Sequence, residues 1–299
     1  MQEQHIFYQE AIEYYRSQRK SKWWRRLIYG SVLMAALGFG IAAYHSSSID
    51  APTDKNVLPV VRIGGEIGGQ IDIQDLTVRL EKAFVLGAKN KTVVIAIDSP
   101  GGDPTLAQRI VARVNYFRQK NHGIKIIASC ERMCASAAYM IAMSADEIIS
   151  SPYALVGSIG AMIGTFNFSG VMNKIGVEYR AFGSGPDKTM LNPFLVPDKA
   201  SEDKVQMLVE RMGDEFVQSV RQRRKIDPSI PIGSGEVWTP QMAKEIGLID
   251  RVAVIEDVAF QDLEGAIPVE IKSKSVPSFG MATQLVQVSL ELIRKFLVQ

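Results

Sequence analysis

Between residues 57 and 150 short apolar runs alternate with longer stretches whose apolar residues recur every three or four positions. "VLPVVRI" is short, β-branched and followed by "GGEIGG", so it reads as a buried strand ending in a glycine turn. After it Leu76, Val78, Leu80, Ala83, Phe84 and Leu86 populate one broad helical face. "TVVIAID" is a second buried strand, leading through "SPGGDP" into "TLAQRIVARVNYFRQK". There Leu106, Ile110, Val114 and Phe117 keep helical spacing, with Asp103 as N-cap and Pro104 as first helical residue. "GIKIIAS" predicts a third strand, "SAAYMIAMSA" a short helix of small residues, and "DEIISS" a fourth strand. Strand followed by helix, repeated, predicts an α/β layer architecture with right-handed crossovers.

The second half is less regular. "VMNKIGVEYRAF" suggests a helix and then a strand, while residues 183–199, with three prolines and two glycines, read as a loop. Ser201, Glu202 and Asp203 are expected to open a helix whose Val205, Leu208, Met212, Phe216 and Val220 share a face. In "EVWTPQMAKEIGLID" Thr239 and Pro240 repeat the cap-then-proline pattern.

A different pattern marks the start of the chain. "RSQRKSKWWRR" stands before 18 uncharged residues from Leu27 to Tyr44, long enough for a membrane helix with aromatic residues at both interfaces. The basic flank predicts a cytoplasmic N-terminus and an extracytoplasmic remainder. A cleaved secretory signal is the alternative, but its charged region would be unusually long. The expected organisation is a basic N-terminus (1–26), a transmembrane helix (27–44), a polar linker (45–56), a folded α/β domain (57–273) and a tail with an amphipathic helix (274–299). In that tail Leu285, Val288, Leu292 and Phe296 fall at helical spacing, suiting a helix docked on the domain or on a neighbouring copy.

Composition narrows the function. The 299 residues carry 34 Lys+Arg against 32 Asp+Glu, a net charge of +2, so nothing global points to nucleic acid. Cys130 and Cys134 are too few for a disulfide framework, and C-x3-C is not a usual zinc spacing, so no metal is implied. They read as two small buried hydrophobes, with pairing outside the cytoplasm as the alternative.

Nucleophiles in α/β sheets sit where a strand ends and a helix begins, and Ser136 occupies that position. The paired glycines of "SPGG" let backbone N–H groups approach a developing negative charge. A serine hydroxyl needs a base. Among the three histidines, His5 and His45 lie before and beside the apolar span, and His122 precedes the strand whose far end leads to Ser136. A carboxylate or a lysine remains, and spacing alone does not choose among the many lysines. A lysine serves where desolvation supplies neutral amine near working pH. Lys188 is distinctive in that prolines and glycines hold its loop.

In order along the chain, "IDSPGG", "CASAAYMIA" with "ADEI", "LVGSIG", "GSGPDKTMLNPF" and "GEVWTPQMAKEIGLID" resemble the signal peptide peptidase A (protease IV) family of membrane-associated serine peptidases. The resemblance covers roughly residues 57–255. It implies a crotonase/Clp-protease-like layered fold and a Ser/Lys dyad, with Ser136 as nucleophile and Lys188 as general base. Ser158 would hold the lysine amine. The oxyanion hole would be Gly102, with Gly101 as the less favoured choice, together with the amide of Ala137. It further implies a homo-oligomer with an active site shared between protomers, and no cofactor. Two departures stand out: Ala137 and Ala138 occupy positions where the family commonly has glycine, and Lys188 follows Asp187. A nearby carboxylate favours the protonated amine, so the Asp187 side chain is expected to point away from Lys188.

The reading is a single-pass protein of a bacterial inner or cell membrane whose extracytoplasmic Ser/Lys domain cleaves hydrophobic peptides such as remnant signal peptides. The lipid bilayer is its other partner. Two rivals remain: a crotonase-like acyl-CoA enzyme, because a glycine-lined oxyanion site serves both chemistries, and a catalytically silent membrane scaffold.

Overall fold

The computed structural model describes residues 56–69 and 71–272, together with Ser31 and Met34, both helical. The rest of the expected membrane span (27–44), the linker up to residue 55 and the tail helix lie outside the described residues. Among the described residues no helix is long and apolar enough to cross a membrane. Ser136, Ser158, Lys188 and the glycines of "SPGG" all lie in the compact unit Asp54–Ser273.

The centre of this unit is a mixed α/β sheet. The strands are β1 (Val57–Gly64), β2 (Thr92–Ser99), β3 (Lys125–Ala135), β4 (Glu147–Ser150), β5 (Leu155–Gly157), β6 (Val237–Trp238), β7 (Arg251–Val252) and β8 (Ile267–Glu270). The main path runs β6-β5-β3-β2-β1-β8, with β4 pairing β3 and β7 pairing β4. All pairs are parallel except β5 with β6. Helices α1 (Ile73–Gly87), α2 (Pro104–Lys120) and α3 (Ala137–Ala142) cross over between the early strands. Leu76, Leu80 and Phe84 of α1 and Ile110 and Val114 of α2 are buried in one cluster with Val61, Ile95 and Ile97. A second cluster holds Leu58, Val60, Val94 and Ile127 with Val258 and Ala259. Successive residues of β1 and β2 thus fall into different clusters, which explains why these strands read as unbroken apolar runs rather than alternating ones.

The expected start of α2 is present. The Asp103 carboxylate accepts from the amides of Thr105 and Leu106, with Pro104 first in α2.

Two local expectations differ. The short helix α4 (Ser169–Lys174) forms, but residues 177–182 are not a strand, since among the described residues no neighbouring strand supplies hydrogen-bond partners. Helix α5 (Lys199–Arg223) starts earlier than expected, because Asp198 rather than Ser201 accepts from the first turn. Its apolar face is covered only at the C-terminal end: Phe216 and Val220 are buried, whereas Leu208 and Met212 are exposed. Helix α6 (Pro240–Glu245) begins as expected, with the Thr239 hydroxyl accepting from the Met242 amide.

Asp250 ties the end of α5 to the sheet. It accepts from the Ile148 amide at 2.7 Å and from the Arg224 guanidinium at 2.8 and 3.1 Å. Partial burial pushes this carboxyl up, but the Arg224 guanidinium and the Ile148 amide outweigh it and hold the group below its ordinary value. A depressed carboxyl contributes stability above the unfolded value of about 3.9 and loses it as pH falls through the folded value. Asp250→Asn is therefore expected to lower the melting temperature at pH 7, with the gap to wild type closing below about pH 4. A gap constant from pH 7 to pH 3 would contradict this linkage.

Candidate active site at the β3–α3 turn

Strand β3 changes partners along its length. Ile127–Cys130 pair with β4, and Met133–Ala135 pair with β5. Against β2 the register jumps, with Ile97 opposite Cys130 but Ser99 opposite Cys134. The four-residue step on β3 against two on β2 is a bulge, and bulges re-aim the chain beyond them.

Directly after β3, Ser136 stands at φ 54° and ψ −124°, a conformation L residues rarely adopt. Its amide donates to the Gly157 carbonyl at 2.7 Å, and its carbonyl accepts from Met140 at 3.1 Å as α3 begins. Its side chain makes no capping bond, so the half-buried hydroxyl is not consumed by the helix. A strained serine between strand and helix is the arrangement by which α/β hydrolases present a nucleophilic Oγ above a sheet.

The glycine turn lies against it. A Cβ on Gly101 would stand 2.7 Å from the Ser136 Cβ and 3.2 Å from the Ala137 nitrogen. A Cβ on Gly102 would stand 2.1 Å from the Ile67 carbonyl oxygen. Ile67 in "GGEIGG" bridges this turn: its amide donates to the Gly101 carbonyl at 2.7 Å, and its carbonyl accepts from Asp103 at 2.7 Å. The Gly101 amide donates to the Ser99 hydroxyl at 3.1 Å. Among the described residues the amides of Gly102 and Ala137 donate to no protein acceptor. Ala137 is the first residue of α3, where helical geometry supplies none. Two amide donors thus remain available beside the Ser136 turn.

Ser158 follows β5. Because Ala135 pairs with Gly157, Ser136 and Ser158 are the next residues on neighbouring strands. Ser158 is also strained, at φ 50°, and its amide donates to the Glu236 carbonyl at 2.7 Å. Gly157 packs so closely on Trp238 that a Cβ there would lie 2.4 Å from the ring. The "GEVW" segment therefore holds the Ser158 turn in place.

Lys188 is exposed on a 3-10 turn, Pro186–Thr189. Among the described residues its ammonium makes no hydrogen bond or ion pair, whether with Ser136, with Ser158 or with any other residue. The neighbouring Asp187 carboxylate accepts from Lys204 of α5 at 2.6 Å, so it is engaged by a different ammonium. The structure therefore brings together Ser136, Ser158, Gly101, Gly102 and Ala137, and among the described residues Lys188 makes no side-chain hydrogen bond to them. Both cysteines are free and buried, and burial pushes the Cys130 thiol up, which disfavours a reactive thiolate. His122 lies before the far end of β3, on the order of 30 Å of strand from Ser136. Ile67 and Ser99 were not singled out by sequence, although the glycines flanking Ile67 and the serine of "SPGG" were visible signals.

Residues 118–265 match the sequence profile described as Peptidase family S49. The chain carries a domain of that family. It is 36% identical over 203 residues to a Brucella melitensis protein named Na(+)/H(+) antiporter NhaA, covering 64% of this chain and 27% of that protein. It is 26% identical over 247 residues to the chloroplastic serine protease SPPA of Arabidopsis thaliana, covering 77% of this chain and 36% of that one. With the "Probable protease SohB" of Haemophilus influenzae it shares 25% identity over 235 residues, 76% of this chain and 65% of the other. The chain thus spans about a quarter of the Brucella protein, and the antiporter name describes that longer protein.

Proposed function

We propose that this chain is a membrane-anchored serine endopeptidase that cleaves extended hydrophobic peptides, such as remnant signal peptides, through a Ser136/Lys188 dyad. The observation that carries the reading is the strained Ser136, its hydroxyl uncommitted, beside the unpartnered amides of Gly102 and Ala137. The S49 domain supports the same chemistry.

Ser136 Oγ attacks the scissile carbonyl while the neutral amine of Lys188 takes its proton. The oxyanion accepts from the Gly102 and Ala137 amides. As the C–N bond breaks, the Lys188 ammonium returns the proton to the leaving amine. Water, deprotonated by the same amine, then attacks the acyl ester and frees Ser136. Ser158 orients the lysine amine. The exposed position of Lys188 and its lack of a partner among the described residues suit a homo-oligomer in which Lys188 of one copy serves Ser136 of another.

The test uses the detergent-solubilised full chain and a panel of hydrophobic peptides. Lys188→Ala is expected to lower kcat by about 10²–10⁴-fold, the usual contribution of a general base. Mixing Lys188→Ala with Ser136→Ala should restore part of the activity if the dyad forms between copies; no recovery after subunit exchange would place both residues in one chain. Because acid protonates the amine, the wild-type rate should rise toward neutral and alkaline pH. A maximum near pH 5 would exclude a lysine base.

A further inference from the structure

Ser99, the last residue of β2, is fully buried, and its hydroxyl is one of few buried polar side chains in the sheet. Its Oγ accepts from the Gly101 amide at 3.1 Å and lies 3.5 Å from the Gly101 carbonyl oxygen, to which it is able to donate. The bond from a serine hydroxyl to the amide two residues on is a local turn, and Pro100 between them has no amide to compete.

The next peptide, Gly101–Gly102, is the one whose N–H is unpartnered. In a trans peptide C=O and N–H point in opposite directions. The Gly101 carbonyl is held toward the Ile67 amide at 2.7 Å, so the Gly102 N–H is turned away from Ile67. Nothing intrinsic keeps that plane in place. Gly101 and Gly102 have φ of 108° and 133°, and glycine adopts many alternatives at little cost. The plane is therefore set by its partners, and among the described residues the one side chain that bonds it is Ser99. Ser99 is also the register partner of Cys134, two residues before Ser136. The same residue anchors the Gly102 donor at one end and adjoins the strand that delivers Ser136 and the Ala137 donor at the other.

Resting on the peptidase reading above, we infer that Ser99 is a positioning residue. Its buried hydroxyl holds the Gly101–Gly102 peptide with the Gly102 N–H available to the oxyanion and removes the Gly101 N–H from competition. Without it, both glycines are free to rotate and the Gly101 amide is left buried without an acceptor.

The experiment compares wild type, Ser136→Ala, Ser99→Ala and Ser99→Cys on the best-cleaved peptide, with a peptidyl aldehyde of the same sequence as a mimic of the tetrahedral intermediate. Ser99→Ala is expected to lower kcat by about 30- to 300-fold, approaching the effect of losing one oxyanion donor. KM should change by less than about threefold, and aldehyde affinity should fall by the same factor as kcat/KM, as a defect confined to the transition state requires. Ser99→Cys keeps the volume but offers sulfur, a weak acceptor, and should remain close to Ser99→Ala. Full activity in Ser99→Cys would show that volume alone matters and overturn the inference. So would a Ser99→Ala enzyme with wild-type kcat and aldehyde affinity, or one whose kcat falls while aldehyde affinity is unchanged. If both Ser99 variants match wild type while Ser136→Ala is inactive, only this inference fails. If Ser136→Ala cleaves as wild type does, the peptidase reading fails first.

Discussion

Ser136→Ala is expected to reduce peptide hydrolysis by roughly 10⁴-fold or more, the loss seen when a serine hydrolase keeps its oxyanion site but loses its nucleophile. The backbone should survive the change. The Ser136 amide is bonded to Gly157 and its carbonyl to Met140, and neither contact involves the hydroxyl. The same geometry sets a second outcome. At φ 54° and ψ −124° any residue with a Cβ is strained, by an amount of order 1–3 kcal/mol, and glycine is not. Ser136→Gly should therefore be as inactive as Ser136→Ala but more stable than it by about 1 kcal/mol, read as a higher melting temperature. Stability held at the turn for the sake of the nucleophile would appear as this opposition between the two readouts. Wild-type turnover in either variant would place the nucleophile elsewhere, whereas no hydrolysis by the wild type together with no labelling of Ser136 by a fluorophosphonate would favour the scaffold or acyl-CoA alternatives.

The second large effect concerns Gly102. A Cβ there would stand 2.1 Å from the Ile67 carbonyl oxygen and 2.9 Å from its nitrogen, both backbone atoms of a bridged segment. Neither is the tip of a flexible side chain, so the turn itself must move. Gly102→Ala is expected to cost about 2–4 kcal/mol, combining overpacking with a φ of 133° that L residues avoid. The shift also displaces the Gly102 amide, so hydrolysis should fall by at least about 10²-fold even in the folded fraction. Gly65→Ala is the matched control. It has a positive φ but no atom within 4 Å of a Cβ, so only the backbone penalty of about 1 kcal/mol applies and activity should persist. Equal effects at the two glycines would mean that the Ile67 contact is unimportant.

Much of this architecture is written in short windows. The apolar runs of β1, β2 and β3, the Asp103–Pro104 and Thr239–Pro240 helix starts, and the position of Ser136 between strand and helix all follow from residues within a few positions of one another. Local periodicity and capping chemistry act over such distances, which makes them readable. The strand expected in the second part of "VMNKIGVEYRAF" is an instructive failure, since β-branched and aromatic residues favour an extended chain but cannot provide the neighbour that makes it a strand. The uncovered half of the α5 face is another: helical spacing places Leu208, Met212, Phe216 and Val220 on one side, but packing alone determines which of them are buried.

The candidate site divides in the same way. By itself the sequence determined which residues have the chemistry: a serine at a strand end, paired glycines after a proline, and a lysine in a stiff loop. Only the tertiary structure decided how they are disposed. The bulge between Cys130 and Cys134, the bridge from Ile67 to Gly102 and the pairing that sets Ser158 beside Ser136 join segments some 20 to 35 positions apart. Ser99 takes up the Gly101 amide and leaves that of Gly102 free, a choice made by the orientation of one peptide plane. No propensity encodes such an orientation, because glycine prefers none; it is set by hydrogen bonds from strands that meet only when the sheet is complete.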